Sequence, residues 1–257
     1  MAPLWASALY EGRMALRGKA MWFAVLPFAL ISLLLLLRPV TAVVPAQEKA
    51  GKIVLMLVFL VPVGVGVAMA DRFRRTRGSG IEELLASTPL AGPRRLLGVL
   101  FGGAAVASAP GLVISLGSGV YIAIADGAPS APLWSVVAFA VLLLPACLWS
   151  GALTATLGLV LPVPVVRVLV APLWLWFNWW NYTLRWVPTP TGTVLTPIGE
   201  YPGAAWFGVD TTWAGYGQVA LLSPPTGPVP ALVNLACVLG AVALFVWAAR
   251  LIIDWKG

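Results

Sequence analysis

The chain of 257 residues contains no histidine, and charged residues make up only 10% of it. The absence of histidine excludes haem ligation by imidazole, metal sites built on histidine and proton relays through histidine in this chain. The low charge excludes an ordinary soluble domain, in which about 25% of residues are charged. Because 60% of the residues are hydrophobic, the composition predicts an all-α integral membrane protein that crosses the bilayer several times.

Cysteine is scarce as well. Cys147 and Cys237 each lie inside an apolar run, which predicts small buried side chains and no disulfide. The formal net charge of +7 does not indicate nucleic-acid binding, because the lysines and arginines stand between apolar runs. Basic residues in such positions set membrane orientation. We therefore expect the lipid bilayer, and no nucleic acid, as the surroundings of this chain.

Apolar runs predict six transmembrane helices. They cover residues 21–37, 53–70, 96–125, 133–161, 168–184 and 230–249. A signal peptide is the alternative for the first run, but its apolar core is longer than the ~7–15 residues of a signal sequence. The third run exceeds the length that lipid requires, so we expect it to tilt, to kink at Pro110 or to project from the bilayer. Gly98 and Gly102 in that run have a spacing that permits close helix contact.

The first 20 residues carry an amphipathic pattern. Trp5 and Leu9 share one helical face, and Arg13 and Arg17 are one turn apart on another. This predicts a helix that lies in the membrane interface. An ordinary charged lead-in to the first span is the alternative.

The residues after the fifth run are aromatic and rich in proline. A cluster at the end of that run predicts an aromatic belt at a lipid–water boundary, with stacking on a ligand as the alternative. Its members are Trp174, Trp176, Trp179, Trp180, Tyr182 and Trp186. Residues 187–229 follow, with Glu200 and Asp210 as their charges. They are too apolar for a disordered linker, so we expect a structured extracytoplasmic segment between helices five and six.

The distribution of basic residues predicts the orientation. With six spans both termini lie on one side, which then holds 12 lysines and arginines against 4 on the other. The positive-inside rule therefore predicts cytoplasmic termini in a bacterial cell membrane.

The sequence carries little catalytic chemistry. No span interior has an Asp, Glu, Lys or Arg, which argues against ion-coupled transport. Gly12 to Ala20 resembles a phosphate loop only by chance, because the spacing is wrong and Ala20 replaces the Ser or Thr that binds magnesium. We expect no cofactor, no metal site, no catalytic residue and no ATP hydrolysis by this chain alone.

Residues 71–95 form a polar island between the second and third runs. Ser79 is a candidate N-cap, Glu82 completes a capping box with it, and Pro89 ends the helix. The helical spacing places one set of residues on a common face: Ile81, Leu84, Leu85 and Thr88. Glu83 points elsewhere. A helix of two turns is unstable alone, so this one must dock on another surface.

This island resembles the cytoplasmic loop of permease subunits of type-2 ATP-binding-cassette (ABC) exporters. The matching elements are the basic run from Arg74, Glu83-Leu84-Leu85 and Thr88-Pro-Leu. The departure is Ser79-Gly80, inserted where that family runs on directly.

The resemblance implies a permease subunit whose coupling helix, about 80–88, sits in a cleft of a separate ABC ATPase subunit, where ATP and magnesium bind. A second permease subunit would complete the exporter. In that arrangement the coupling residues are Ser79, Ile81, Glu82, Glu83, Leu84, Leu85 and Thr88. The apolar spans favour a hydrophobic or amphipathic substrate such as a drug, a lipid or a secondary metabolite. A membrane immunity or assembly factor with the same six-span body is the alternative.

Overall fold

The computed structural model describes residues 2–35, 44–75, 92–180 and 187–256, and this part of the chain is helical without a β-strand. The all-α fold class is thereby confirmed for these residues. The helices are α1 (Ala2–Arg17), α2 (Lys19–Leu35), α3 (Ala46–Met69), α4 (Arg72–Arg75), α5 (Gly92–Ala125), α6 (Ala131–Ala138), α7 (Leu144–Val160), α8 (Val163–Asn178), α9 (Glu200–Phe207) and α10 (Pro228–Lys256). A π-helical turn, Phe139–Leu143, joins α6 to α7.

Four of the described helical stretches are long and apolar enough to cross a membrane. They are Ala46–Arg74, Arg94–Ala125, Ala131–Val160 and Pro228–Trp255. Helices α1 and α2 meet at a bend of 78° and give a fifth candidate if the pair counts as one span. Helix α8 is apolar but shorter. The described residues thus carry four or five candidate spans, and the first and fifth predicted runs correspond to the shorter helices α2 and α8.

Helices α3 and α8 begin five or more residues earlier than the sequence predicts. Helix α3 begins at Ala46, so Glu48, Lys49 and Lys52 lie on it and not in the predicted connection. Their charges are paired locally: Lys52 Nζ is 2.5 Å from Glu48 Oε1, and the buried Lys49 reaches Asp126 Oδ2 at 2.5 Å. Helix α8 begins at Val163, with proline in its first turn, so the connection from α7 consists of Leu161 and Pro162.

The bundle has two chemically different ends. At the basic end, α4 and the starts of α5 and α8 lie beside the ends of α3 and α7. At the cap end, the starts of α3 and α10 meet the turn at Asp126 and the residues 187–227, which we call the cap segment. The basic end carries Arg13, Arg17, Lys19, Arg72, Arg74, Arg94, Arg95, Arg167 and Arg250, whereas the described basic residues of the cap end are Lys49 and Lys52. The described basic residues thus lie at the two ends in the groups that the sequence analysis assigned to the two sides, and which end faces the cytoplasm stays a prediction.

The core is packed around Trp149 of α7. Its ring makes edge contacts with Trp174, Phe177 and Phe245, with ring centroids 6.0, 4.6 and 5.7 Å away. Trp174 is 2% exposed, and its Nε1 donates to the Phe59 carbonyl at 3.0 Å. Trp174 therefore belongs to the core and not to a belt at the membrane surface, because its partner is a buried backbone carbonyl of α3.

The π-helical turn has a local cause. Pro145 has no N–H to donate to the carbonyl of Val141, and a proline ring inside a helix clashes with the carbonyl four residues earlier. The chain widens there, and the N–H of Leu144 donates to the Phe139 carbonyl, five residues back. Leu142 and Leu143 of this turn stay buried in the core.

Helix α1 packs along the first turns of α5 through small residues. An added Cβ at Gly102 would lie 2.3 Å from the Ala8 carbonyl oxygen, and an added Cβ at Gly98 would lie 2.5 Å from Ser7 Oγ. Ala15 on the same side of α1 is fully buried. The Gly98–Gly102 spacing thus serves the contact with α1, a partner that the sequence did not identify.

We expect Gly102→Ala to weaken the attachment of α1 by about 2 kcal/mol, because the new methyl group meets backbone that cannot rotate away. Trypsin should then cleave faster after Arg13 and Arg17. Gly117→Ala on the same helix is the matched control, because nothing lies within 4 Å of the added atom. Equal cleavage rates in the two variants would contradict a backbone-to-backbone fit at Gly102.

Candidate functional site

The candidate site is the basic end, where the described chain stops at Arg75 and resumes at Gly92. The predicted coupling residues Ser79, Ile81, Glu82, Glu83, Leu84, Leu85 and Thr88 lie outside the described residues. The helices on both sides of them are described. Helix α4 leads into this segment and α5 leads out of it, so its two attachment points are fixed in the bundle.

The incoming attachment point is anchored in the core. Phe73 of α4 is fully buried, and Arg72 is 8% exposed. Just before α4, the backbone of Ala70 touches α7 at Gly158, where an added Cβ would lie 1.8 Å from the Ala70 carbonyl oxygen. Only glycine permits this approach, so α4 has little freedom to move without α7.

Ion pairs hold the same region together. Arg167 at the start of α8 places Nη2 at 3.3 Å from Asp71 Oδ2. Glu11 of α1 interacts electrostatically with Arg72 and Arg95, which belong to the two sides of the 76–91 segment. Helices α1, α4, α5 and α8 are therefore linked by charge around one segment. Such pairs position helices more than they stabilise them when they are partly exposed to solvent.

Exposed arginines mark the rim of this end. Arg74 and Arg94 are exposed and stand on opposite sides of the 76–91 segment. Among the described residues, no group of three His, Cys, Asp or Glu side chains is placed to hold a metal ion. The rim therefore offers exposed guanidinium groups, which bind carboxylates in a fixed fork geometry.

The four predicted interface residues of α1 all lie on its free surface. Trp5 and Leu9 are each 63% exposed, and Arg13 and Arg17 are exposed. The opposite side of α1 is the one that contacts α5. An apolar and basic free face fits a helix lying in the interface, and this role remains a prediction.

The cap segment is a second candidate, which the sequence predicted only as a structured stretch. A buried threonine cluster organises its first part: Thr189, Thr191, Thr193 and Thr196. Thr189 Oγ1 donates to Thr191 Oγ1 at 2.7 Å, and Thr193 and Thr196 both donate to the Pro190 carbonyl, at 2.6 and 2.7 Å. These hydroxyls satisfy buried groups that no regular secondary structure would pair.

Glu200 and Tyr201 hold the rest of the cap segment. The Glu200 carboxylate accepts hydrogen bonds from the N–H groups of Thr212, Trp213 and Ala214 at 3.3, 3.1 and 2.7 Å. The Tyr201 hydroxyl accepts from the Gly215 N–H at 3.1 Å. Burial raises the pKa of both side chains above their ordinary values, and the N–H groups oppose that shift.

The cap segment is docked on three helices. Asn234 Nδ2 of α10 donates to the carbonyls of Val194 and Thr196, each at 2.9 Å. Gln47 of α3 donates to the Trp206 carbonyl, and Trp176 Nε1 of α8 donates to the Pro188 carbonyl at 3.1 Å. Because α3, α8 and α10 carry the cap together, it closes that end of the bundle. A polar groove of about 650 Å³, lined in part by Asp210 and Tyr216, opens on it.

No protein-family model matches the chain, and a search of curated proteins finds no significant match.

Proposed function

We propose that this protein is the permease subunit of a type-2 ABC exporter and that the basic end is where a separate ATPase subunit attaches. The motif of residues 74–90 carries the proposal together with one geometric observation: the 76–91 segment leaves from the short α4, which continues the helical stretch Ala46–Arg74, and enters the long helix α5. A displacement of that segment would pull on α3 through α4 and on α5 directly. The segment is thus connected to the helices that would have to move.

The anchoring of α4 supports force transfer. Phe73 buries α4 in the core, while the two residues just before α4 are held by other helices: Ala70 contacts Gly158 of α7, and Asp71 pairs with Arg167 of α8. A loosely attached helix would absorb a push from the ATPase, whereas a helix packed in the core passes it on. In this proposal Ile81, Leu84 and Leu85 supply the apolar contact face, and Glu82 and Glu83 face basic groups of the ATPase.

The proposal assigns six spans by counting α2 and α8 as full crossings. Both termini then lie in the cytoplasm of a bacterial cell, α1 lies in the membrane interface, and the cap segment faces outward. A second permease subunit completes the transport path. The chain itself has no ATPase site, so ATP and magnesium bind to the partner, and the substrate is hydrophobic or amphipathic.

A non-transport immunity or assembly factor is the second candidate. The cap segment favours it, because a cap fixed to α3, α8 and α10 offers an outer surface for another protein. The two functions differ in one respect. Only the exporter requires an ATPase bound at residues 76–91.

The test is the effect of Leu84→Asp and Leu85→Asp on ATPase binding. We expect either change to weaken binding at least about tenfold, because a charge replaces a leucine whose burial is worth about 1.5–3 kcal/mol. Binding and ATP hydrolysis are measured on membranes that contain the chain and its candidate ATPase. Leu221→Asp is the matched control, since Leu221 is 91% exposed on the cap segment.

Leu84→Met should retain the ATPase, because it preserves an apolar side chain of similar size. Purification of wild-type protein without any ATPase would refute the exporter and favour the second candidate. Loss of ATPase in Leu221→Asp as well would show that the change acts on folding and not on a contact.

A further inference from the structure

A small cavity of about 230 Å³ lies just inside the basic end, between α2, α3 and α8. Its apolar wall includes Met21 and Ala24 of α2 and Val67 and Ala68 of α3. This volume is below the roughly 300–1,000 Å³ of pockets that enclose a drug-sized ligand. A cavity of this size suits a compact chemical group that belongs to a larger molecule, the rest of which lies outside the cavity.

The polar wall of the cavity is positively charged. Arg72 and Arg167 line it, and Asp71 supplies the carboxylate among its described lining residues. Arg17 and Lys19 flank Gly18, which also lines the cavity, and both are exposed at the corner between α1 and α2. Basic pockets between membrane helices attract anionic lipid headgroups.

An apolar stripe leads away from the cavity along α2. Phe23, Leu26, Leu30 and Leu34 follow one another at helical spacing and are 78, 41, 57 and 70% exposed. Phe23 itself lines the cavity. From Phe23 to Leu34 the stripe runs about 16 Å along the helix, a length comparable to an acyl chain. A free anion would make no contact with this apolar stripe, whereas the acyl chains of a lipid would cover it.

We propose that this cavity binds the phosphate headgroup of an anionic phospholipid, with Arg167 and Arg72 as the binding side chains and the acyl chains lying along α2. The site is independent of the exporter proposal, since it needs only that the chain sit in a bilayer. Because Asp71 neutralises part of the charge of Arg167, it lowers the affinity for the headgroup. The ion pair thus has a second role, as the group that limits lipid binding.

The test titrates the whole purified chain in detergent with phosphatidylglycerol, phosphatidylcholine or inorganic phosphate, and counts bound molecules by native mass spectrometry. Wild type should retain phosphatidylglycerol in preference to phosphatidylcholine. Arg167→Gln should lower the apparent affinity about fivefold, the effect of one basic group near a charged membrane surface. Arg250→Gln is the matched control, because Arg250 is also a partly exposed arginine paired with an aspartate, at 3.4 Å from Asp254.

Asp71→Asn distinguishes lipid binding from a merely structural effect. If the cavity binds the headgroup, Asp71→Asn strengthens binding while Arg167→Gln weakens it. If only the loss of the ion pair matters, both variants shift binding in the same direction, and the proposal fails. Arg167→Lys, which keeps the charge, should bind as wild type does. Should Arg167→Gln not fold, the stronger binding expected of Asp71→Asn still tests the proposal, and unchanged or weaker binding in that variant would overturn it.

Phosphatidylcholine and inorganic phosphate test whether the cavity selects an anionic lipid. Equal retention of phosphatidylglycerol and phosphatidylcholine would overturn the proposal. Binding of inorganic phosphate with the same response to Arg167→Gln and Asp71→Asn would assign the cavity to a free anion and would also overturn it. Selective loss of phosphatidylglycerol in Arg167→Gln, with Arg250→Gln unchanged, supports the lipid.

Discussion

Gly158→Ala should destabilise the folded protein by about 3 kcal/mol or more and lower its thermal midpoint by roughly 6–12 °C. The added methyl carbon would lie 1.8 Å from the carbonyl oxygen of Ala70, well inside van der Waals contact. Backbone cannot turn away as a side chain can, so α3 and α7 must separate at that point. Separation displaces Asp71, which follows Ala70, from its ion pair with Arg167.

Gly240→Ala on α10 is the control for this prediction. It is the same chemical change inside a helix, but nothing lies within 4 Å of the added carbon. Alanine is the better helix former by about 1 kcal/mol, so this variant should be as stable as wild type or slightly more stable. Both variants are compared by thermal unfolding in the same detergent. A Gly158→Ala midpoint equal to that of Gly240→Ala would refute the close approach of α3 and α7.

Glu200→Ala should open the cap segment. The change removes the acceptor of three backbone N–H groups, and hydrogen bonds to a charged partner are each worth about 1.5–3 kcal/mol. We expect a local cost of about 2–4 kcal/mol, which raises amide hydrogen exchange at residues 212–214 by roughly 30- to 1,000-fold. Asp210→Ala is the control, because Asp210 is the exposed acid of the same segment. Equal exchange in the two variants would count against Glu200 as the acceptor.

The same carboxyl gives the cap a pH dependence of defined sign. Burial raises the pKa of Glu200, so the folded cap holds the proton more tightly than the unfolded chain does. Its contribution to stability is complete below the ordinary pKa of about 4.3 and is lost as the pH rises through the folded value. Between pH 4 and pH 7, wild type should therefore lose stability relative to Glu200→Gln, which stays neutral and keeps one acceptor oxygen. A parallel pH profile for the two proteins would contradict the shift.

Much of the helical architecture follows from the sequence, because long apolar stretches must satisfy their backbone hydrogen bonds internally. The bounds of the predicted third and fourth runs, 96–125 and 133–161, differ by at most four residues from those of α5 and of the stretch Ala131–Val160. The predicted start of α3, residue 53, is wrong, because a charged residue such as Lys49 is typical of a loop beside an apolar run. Its partner, Asp126, lies 77 positions away, and no local pattern identifies such a pair.

The sites were less predictable than the helices. The face of Trp5 and Leu9 on α1 is exposed as the periodicity indicates, but the packing side depends on α5, about 90 positions away. The cap segment was predicted only as a structured stretch, since its order rests on hydroxyl and carboxylate contacts that have no sequence period. The available signal is Glu200, one of the two acids of an otherwise uncharged stretch, because an acid must find hydrogen-bond donors when it is buried.

The π-helical turn at Phe139–Leu143 determines how α7 is rotated about its axis relative to α6. An α-helix advances about 100° per residue, so the one extra residue of a π-turn rotates α7 by that angle relative to α6. Ser150 reaches the Pro62 carbonyl at 2.6 Å, and Gly158 meets Ala70, only with this offset in place. Pro145, which widens the turn, therefore determines which face of α7 points towards α3. A helical-wheel projection drawn continuously through Pro145 would place the residues that contact α3 on the wrong face.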